Sequence, residues 1–350
     1  MSYCTGGSMV KLKDIAERAG VSMMTVTHAL RGTGRMSEDT RRLIREIADE
    51  LHYLPNEVAR GLRRRETKTI AFIVRHLSNP HFALMAEAVE EAAWKAGYRV
   101  YLCQSSDRLE REEEYVRTAI SSKVDGIVMT PVQEADHRHL HLLRKLGIPY
   151  VTIGHRPDPD NFPGDHVATD NRQKAAELAA HLFRQGHRRI VVADNRDNSV
   201  TSQRSDGFVE ELRRVGCFDE TLRIREKHGQ KLVEEILKRG KPYPTAMLLT
   251  QPFAAIEAIE ELYRRGMQVP DHLALACFDD FPLLARIQPL LTVMSQDSAG
   301  MGSLAVELLL KRIREGIPST FETIVVPAQL TVRQSCRFPS QELQADKEER

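Results

Sequence analysis

Few stretches of this chain place chemistry-bearing residues at useful spacings. ADHRHLH sets His137 and His141 at i,i+4, a spacing that can hold zinc on a helix. The sequence fixes no acidic or cysteine partner beside them, so the pair reads as a solvated helix face and no metal site is expected. EREEEY, at 110–115, reads in the same way as an exposed acidic face. No serine occupies a GxSxG elbow, and no GxGxxG or GxxxxGK[ST] follows any candidate strand. The five cysteines, Cys4, Cys103, Cys217, Cys277 and Cys336, are scattered and form no CxxC, which suits free thiols in a reducing compartment. Hydrolytic, dinucleotide and nucleoside-triphosphate chemistry all lack a motif, so no enzymatic activity and no cofactor are expected.

The chemistry that does have a pattern is recognition. KDIAERAGVSMMTVTHAL, from Lys13 to Leu30, reads as two short helices. Ile15, Ala16 and Ala19 form one apolar stripe, and Val26, Ala29 and Leu30 form another. Gly20 stands between them, where a residue without Cβ can take the left-handed conformation that ends a helix. Ser22 then precedes the second apolar run as an N-cap should. Such a helix-turn-helix can lay its second helix in the DNA major groove. Many helical hairpins share the outline, so the flanking sequence has to decide.

Ser37 followed by Glu38, Asp39 and Thr40 starts a third helix, with acids where the helix dipole favours them. Leu43, Ile44, Ile47, Ala48 and Leu51 give it an apolar face, and Pro55 stops it. Residues 1–68 hold 13 Lys/Arg against 9 Asp/Glu, a net of +4 in a chain whose total is +1. A basic head on a faintly acidic body suits contact with phosphates. From Thr69 onward the character changes. IAFIV, YRVYLC, GIVMT, PYVTI, RIVVA, TAMLL and LALACF are short strand-like runs. Helical patterns separate them near 81–96, 109–121, 134–146, 170–185, 199–215, 229–239 and 252–265. This alternation predicts α/β architecture with parallel sheets. A stretch from 69 to 338 exceeds one small sheet, so two doubly wound subdomains with a ligand cleft at the strand ends are expected. No apolar run approaches the ~18 residues a membrane span needs, and MSYCTGGSMVKLKD has no apolar signal-peptide core. A cytoplasmic location without membrane contact is expected.

Taken in order, KDIAERAGVS with TVTHAL, SEDTRRLIREIADELHYLPNEVARGLR, KTIAFIV, LSNPHF, VDGIV, GHRRI, FDD and PLLTVMSQD resemble the LacI/GalR family of bacterial transcription regulators, from about Leu12 to Cys336. The resemblance implies a helix-turn-helix headpiece at 10–54 after an extension at 1–9, and a hinge at 55–68. It also implies a periplasmic-binding-protein-like effector body. That body divides into one subdomain at 69–168 plus 296–325 and another at 169–295 plus 326–338, with a tail at 339–350. Within the headpiece it implies that Ser22 caps the recognition helix and that Met23, Met24 and His28 face base edges. Family members often carry arginine where His28 stands and a polar residue at one of the methionine positions. Methionine cannot pair with base donors or acceptors but can contact a thymine methyl; the alternative is that both methionines are core. Thr25, Thr27 and Asn56 match phosphate contacts, which set register without reading sequence. Ala59 and Leu62 fall in the hinge, where Leu62 matches a leucine that wedges into the minor groove. Gly61 lowers helix propensity there by roughly 1 kcal/mol relative to alanine, so the hinge is expected to order only on DNA.

For the body, the resemblance implies effector contacts from Phe82, Thr130, Arg204, Gln251 and Asp279. An arginine and an aspartate facing across a cleft with an aromatic wall suit a hydroxylated ligand such as a sugar; a salt-bridged structural pair is the alternative. Gln251-Pro252 replaces an Asn-Asp common in relatives. The expected partners are therefore a palindromic double-stranded DNA operator, a second copy of the chain and a small polar effector, in a repressor. The tail RFPSQELQADKEER lacks a leucine heptad, so no tail-mediated tetramer is expected. Two other readings remain at this point. One is a regulator whose body serves a protein partner or only dimerisation. The other is a solute-binding or sugar-modifying protein with an incidental helical head.

Overall fold

The computed structural model describes residues 10–53, 66–133, 136–282, 284–286, 288 and 290–339. The chain divides into two compact units, residues 1–67 and 68–350. In the first, α1 (Leu12–Ala19) ends at Gly20, whose φ of 65° is the left-handed stop anticipated above. Ser22 caps α2 (Met23–Arg31) by accepting from the Thr25 amide, and Ser37 caps α3 (Glu38–Glu50) by accepting from the Thr40 amide. Ile15, Val26, Ala29 and Ile44 are fully buried where the three helices meet, joined by Ile47 and Ala48. Leu43 corrects the sequence reading. It is 47% exposed, because Ile44, Ile47 and Ala48 already fill the side of α3 that faces the other two helices.

The second unit contains two six-stranded sheets. The first is built from β1 (Thr69–Val74), β2 (Arg99–Gln104), β3 (Gly126–Met129), β4 (Tyr150–Ile153), β5 (Asp165–Ala168) and β11 (Thr323–Val325), in the order β11-β5-β4-β3-β1-β2. The second uses β6 (Ile190–Ala193), β7 (Arg223–Ile224), β8 (Ala246–Leu249), β9 (Ala274–Phe278), β10 (Thr292–Ser295) and β12 (Gln329–Thr331), in the order β12-β10-β9-β8-β6-β7. Every pairing is parallel except β10 with β12. The central strands are buried on both faces, as parallel strands covered by helices must be. In each sheet the strand order reverses beside the first strand, between β1 and β3 and between β6 and β8. Ligand crevices form at such switch points, outside the strands' carboxyl ends.

Helices α4 (Pro80–Lys95), α5 (Leu109–Ser121) and α6 (Arg138–Lys145) accompany the first sheet. Helices α7 (Asn171–Arg184), α8 (Ser199–Arg214), α9 (Gly229–Arg239) and α10 (Pro252–Arg264) accompany the second. The chain then returns, and α11 (Ser298–Glu315) packs on α4 beneath the first sheet. A buried Arg312 on α11 clamps Asp165 of β5 through two bonds of 2.7 and 3.0 Å, which ties the returning segment to the sheet.

Two sequence readings fail in this unit. The helix expected at 134–146 begins only at Arg138. His137 therefore precedes it, and the solvated histidine face is not formed: His137 and His139 are buried and only His141 is exposed. Glu112, expected on an exposed acidic face, is 0% exposed. An i,i+4 count assumes that both residues lie on the helix, and here the chain turns inward just before it.

Candidate DNA-contact helix and ligand cleft

Helix α2 separates its residues by face. Val26 and Ala29 point into the three-helix core, while Met23 and Met24 are 56% and 67% exposed. The core alternative for the methionines is thus excluded, because the apolar requirement of α2 is met without them. The Thr25 hydroxyl lies 2.9 Å from Ser22 Oγ, and the Thr27 hydroxyl donates to the Met23 carbonyl at 2.8 Å. Both retain an acceptor site for a further partner. His28 is half-buried, with Nδ1 3.2 Å from the Thr33 hydroxyl, which leaves Nε2 as the ring's other polar atom. The loop behind it is held by Arg41, which donates to the Gly32 and Gly34 carbonyls. Asn56, Ala59 and Leu62 lie outside the described residues.

In the second unit, Phe82, Thr130, Arg204, Gln251 and Asp279 all line one cavity of about 440 Å³. Each arrives by a different local device. Asn79 caps α4, with Pro80 in its first turn, and so sets Phe82 at the cleft. Thr130 follows β3, where its hydroxyl accepts from the Arg75 amide at 3.0 Å. Gln251 is the N-cap residue of α10 but its side chain makes no capping bond; Pro252 opens the helix. Asp279 follows β9 with φ 68°, a left-handed conformation that aspartate tolerates better than most residues.

The arginine and aspartate do not face each other across the cleft, as expected from the sequence. Both belong to the part of the chain around the second sheet, and they are bonded side by side, Arg204 Nη1 to Asp279 Oδ2 at 3.1 Å and Nη2 to Oδ1 at 3.2 Å. Arg204 also donates through Nε to Asn171 Oδ1 and through Nη1 to the Thr250 carbonyl, and its guanidinium lies over the Phe278 ring. These bonds use four of its five N–H groups among the described residues, leaving one on Nη2. Burial opposes the charge on Asp279 most strongly, but Arg204, His81 and Gln296 together outweigh it and hold the carboxyl below its ordinary value. Asp280, the second aspartate of the FDD motif, instead pairs with Arg333 away from this cavity wall.

The sequence reading missed much of the wall. His81, Gln133, His155, Asn195 and Gln296 also line it. Several stand just after strand ends, so reading the second residue beyond each predicted strand would have found His155 after β4 and Asn195 after β6. Two contacts join the walls: His155 Nδ1 lies 2.7 Å from Ser199 Oγ, and the Ser199 amide donates to Gln133 Oε1 at 2.6 Å. Burial pushes His155 down to about 4, so a neutral imidazole makes the first contact at neutral pH.

Residues 11–56 match the family of bacterial regulatory proteins named lacI, and residues 179–336 match the periplasmic binding protein-like domain. The HTH-type transcriptional repressor PurR of Aliivibrio salmonicida is 30% identical over 314 residues, covering 88% of this chain and 93% of that protein. The chain belongs to the LacI family. It is a DNA-binding transcriptional regulator with a helix-turn-helix head and a periplasmic-binding-protein-like body. The LacI-family regulator DegA of Bacillus subtilis is also 30% identical, over 92% of this chain and 96% of its own length. Among solved structures, the transcriptional regulator CelR–cellobiose complex is 26% identical with a TM-score of 0.68, covering 93% of this chain and 99% of that one. The lac repressor dimer bound to operator and an anti-inducer shares the fold at 21% identity and a TM-score of 0.80, over 94% and 99% of the two chains.

Proposed function

We propose that this LacI-family chain is a cytoplasmic repressor without enzymatic activity. Two copies bind a roughly palindromic operator, and a small polyhydroxylated effector in the cleft modulates that binding. In the headpiece, Met23, Met24 and His28 are the base-edge residues, Ser22, Thr25 and Thr27 support and contact the backbone, and Asn56, Ala59 and Leu62 serve the hinge. The exposure of both methionines at the start of a capped helix supports this assignment.

The observation that carries the effector reading is the Arg204–Asp279 pair in the cavity wall. The pair offers one unused guanidinium N–H beside a carboxylate that can accept more, so a ligand hydroxyl can accept from one and donate to the other. Phe82 supplies an apolar surface in the same cavity. The CelR relative is described in complex with cellobiose, which fits this class of ligand.

A thermal-shift screen of the whole chain against sugars, sugar phosphates, nucleosides and amino acids tests the proposal. A ligand at ~100 times its dissociation constant adds ~2.7 kcal/mol to the stability of the unit that binds it. Removing either member of a buried ion pair costs about 3–5 kcal/mol by itself, so Phe82→Leu and Gln251→Ala, which line the cavity outside the pair, are better probes than a change to Arg204 or Asp279. A hit whose affinity falls in both variants supports the cleft. Silence across the panel, with intact operator binding, would transfer the body's role to a protein partner or to dimerisation alone.

A further inference from the structure

A buried cluster carries the inference, and the sequence reading, which weighed only the His137–His141 pair for zinc, did not bring it together. Glu112 on α5, His137 just before α6 and His139 in its first turn have side chains 0%, 2% and 1% exposed. One ligand atom from each lies within 4.8 Å of the others. Glu112 Oε1 is 2.9 Å from His139 Nε2 and 3.7 Å from His137 Nδ1. Yet among the described residues Glu112 Oε1 and all four imidazole nitrogens have no hydrogen-bond partner of acceptable geometry. Buried polar groups in folded proteins are almost always satisfied, so these orphans, of which one from each residue converges on the others, call for a missing partner; an ion there would take three of the five atoms. The other carboxylate oxygen, Oε2, accepts from the Val132 amide at 2.8 Å, which fixes the orientation of Glu112 and aims Oε1 at the histidines.

We propose that Glu112, His137 and His139 bind a divalent transition-metal ion, with Zn²⁺ the best match. Two imidazoles and one carboxylate suit zinc, whereas calcium and magnesium prefer sites made wholly of oxygen. An imidazolium–carboxylate pair would satisfy the cluster less well. It would offer one charge to two histidines and leave three of their nitrogens without an acceptor. The two rings stand nearly perpendicular, 5.6 Å apart, and the His137 ring also packs against His155 of the cavity wall, which marks the cleft as the route of entry. Such an ion braces the segment after β3. Pro131 and Gln133 of that segment line the cavity, and Gln133 accepts the bond from Ser199.

The test uses the full chain, stripped with a chelator and dialysed, then titrated calorimetrically with Zn²⁺ and spectroscopically with Co²⁺. One ion per chain is expected, with Co²⁺ showing the visible ligand-field bands of a four- or five-coordinate nitrogen and oxygen site. Glu112→Gln and His139→Gln should each weaken binding by more than the roughly 10- to 100-fold that loss of an outer-shell partner costs. His141→Ala, on the exposed side of α6, should leave it unchanged. Should a variant fail to fold, as judged by circular dichroism, the wild type still decides, because Zn²⁺ must raise its melting temperature and the chelator must reverse that. No stoichiometric uptake by the wild type would overturn the site in favour of a buried histidine–carboxylate cluster. Equal affinity in folded Glu112→Gln and His139→Gln would overturn it in favour of ligands elsewhere.

Discussion

At the scale of single residues, the headpiece and the body make different demands on histidine. In the proposed assignment His28 reads a base edge: its Nδ1 side meets Thr33, and it stands one helical turn from Met24 on α2. His28→Ala should relax the preference at one operator position per half-site, by the ~1–3 kcal/mol that a mismatched base pair typically costs. A competition binding series over all bases at each position measures this, and an equal loss on every sequence would make His28 a phosphate contact. His166 is positioned to hold. It is 3% exposed and its Nδ1 lies 2.9 Å from the Thr152 hydroxyl. Burial pushes its pKa from the ordinary 6.5 down to about 4, with Arg156 adding to the effect. The folded value is depressed, so the stability that neutral His166 maintains is complete above pH 6.5 and is lost as pH falls toward 4. At pH 5 the loss is about 2 kcal/mol. Denaturant unfolding of the wild type between pH 7 and 5, set against His166→Gln, should show a shallower pH dependence in the variant; parallel curves would mean that His166 titrates normally.

At the scale of elements, the helix crossings decide where the polar residues end up. Gly207 lies in α8, and a Cβ there would come within 2.1 Å of the Arg172 carbonyl on α7. That crossing is also what lets Asn171, the first residue of α7, receive the Arg204 Nε bond at 2.9 Å. Gly207→Ala should therefore force the two helices apart. The expected cost is at least the 1–3 kcal/mol typical of overpacking, with weaker effector binding at a site the substitution does not touch. Unchanged melting and unchanged effector affinity together would show that the crossing tolerates the methyl. The same scale explains what the sequence made legible. Strand-like runs such as IAFIV and GIVMT coincide with β1 and β3 because buried parallel strands must be continuously apolar. DHVA and QLT, which form β5 and β12, carry no such signal; Asp165 is spent on Arg312 instead of on a pattern. The five cleft residues could be picked out through family motifs, but their bonding could not. A motif shows which residues recur and does not show that Arg204 and Asp279 neighbour each other. The Glu112 cluster was illegible because its members come from two separate segments whose burial depends on how α5 and the start of α6 meet.

At the scale of the whole molecule, a regulator needs its ligand site and its DNA site to share a free-energy balance. Linkage makes that balance reciprocal: if effector changes operator affinity by some factor, operator changes effector affinity by the same factor, typically 5- to 150-fold. Ser199 gives a handle on that balance that touches neither ligand contacts nor DNA contacts. Its hydroxyl meets His155 across the cleft while its amide meets Gln133, so Ser199→Ala removes one contact and keeps the other. Losing one such bond should disfavour the closed cleft by about 0.5–1.5 kcal/mol. If effector binds the closed form, its dissociation constant should then rise by about 2- to 10-fold, the same free energy expressed as affinity. Without effector, the variant's operator affinity should move in the direction opposite to the change that effector produces in the wild type. This holds whether effector releases the operator or tightens it, because the substitution and the ligand push one equilibrium in opposite senses. Gel-shift titrations of both proteins with and without effector measure all four affinities. A shift in the same sense as effector would mean that the ligand-bound form is the open one. No shift in either affinity would show that this contact does not take part in the switch.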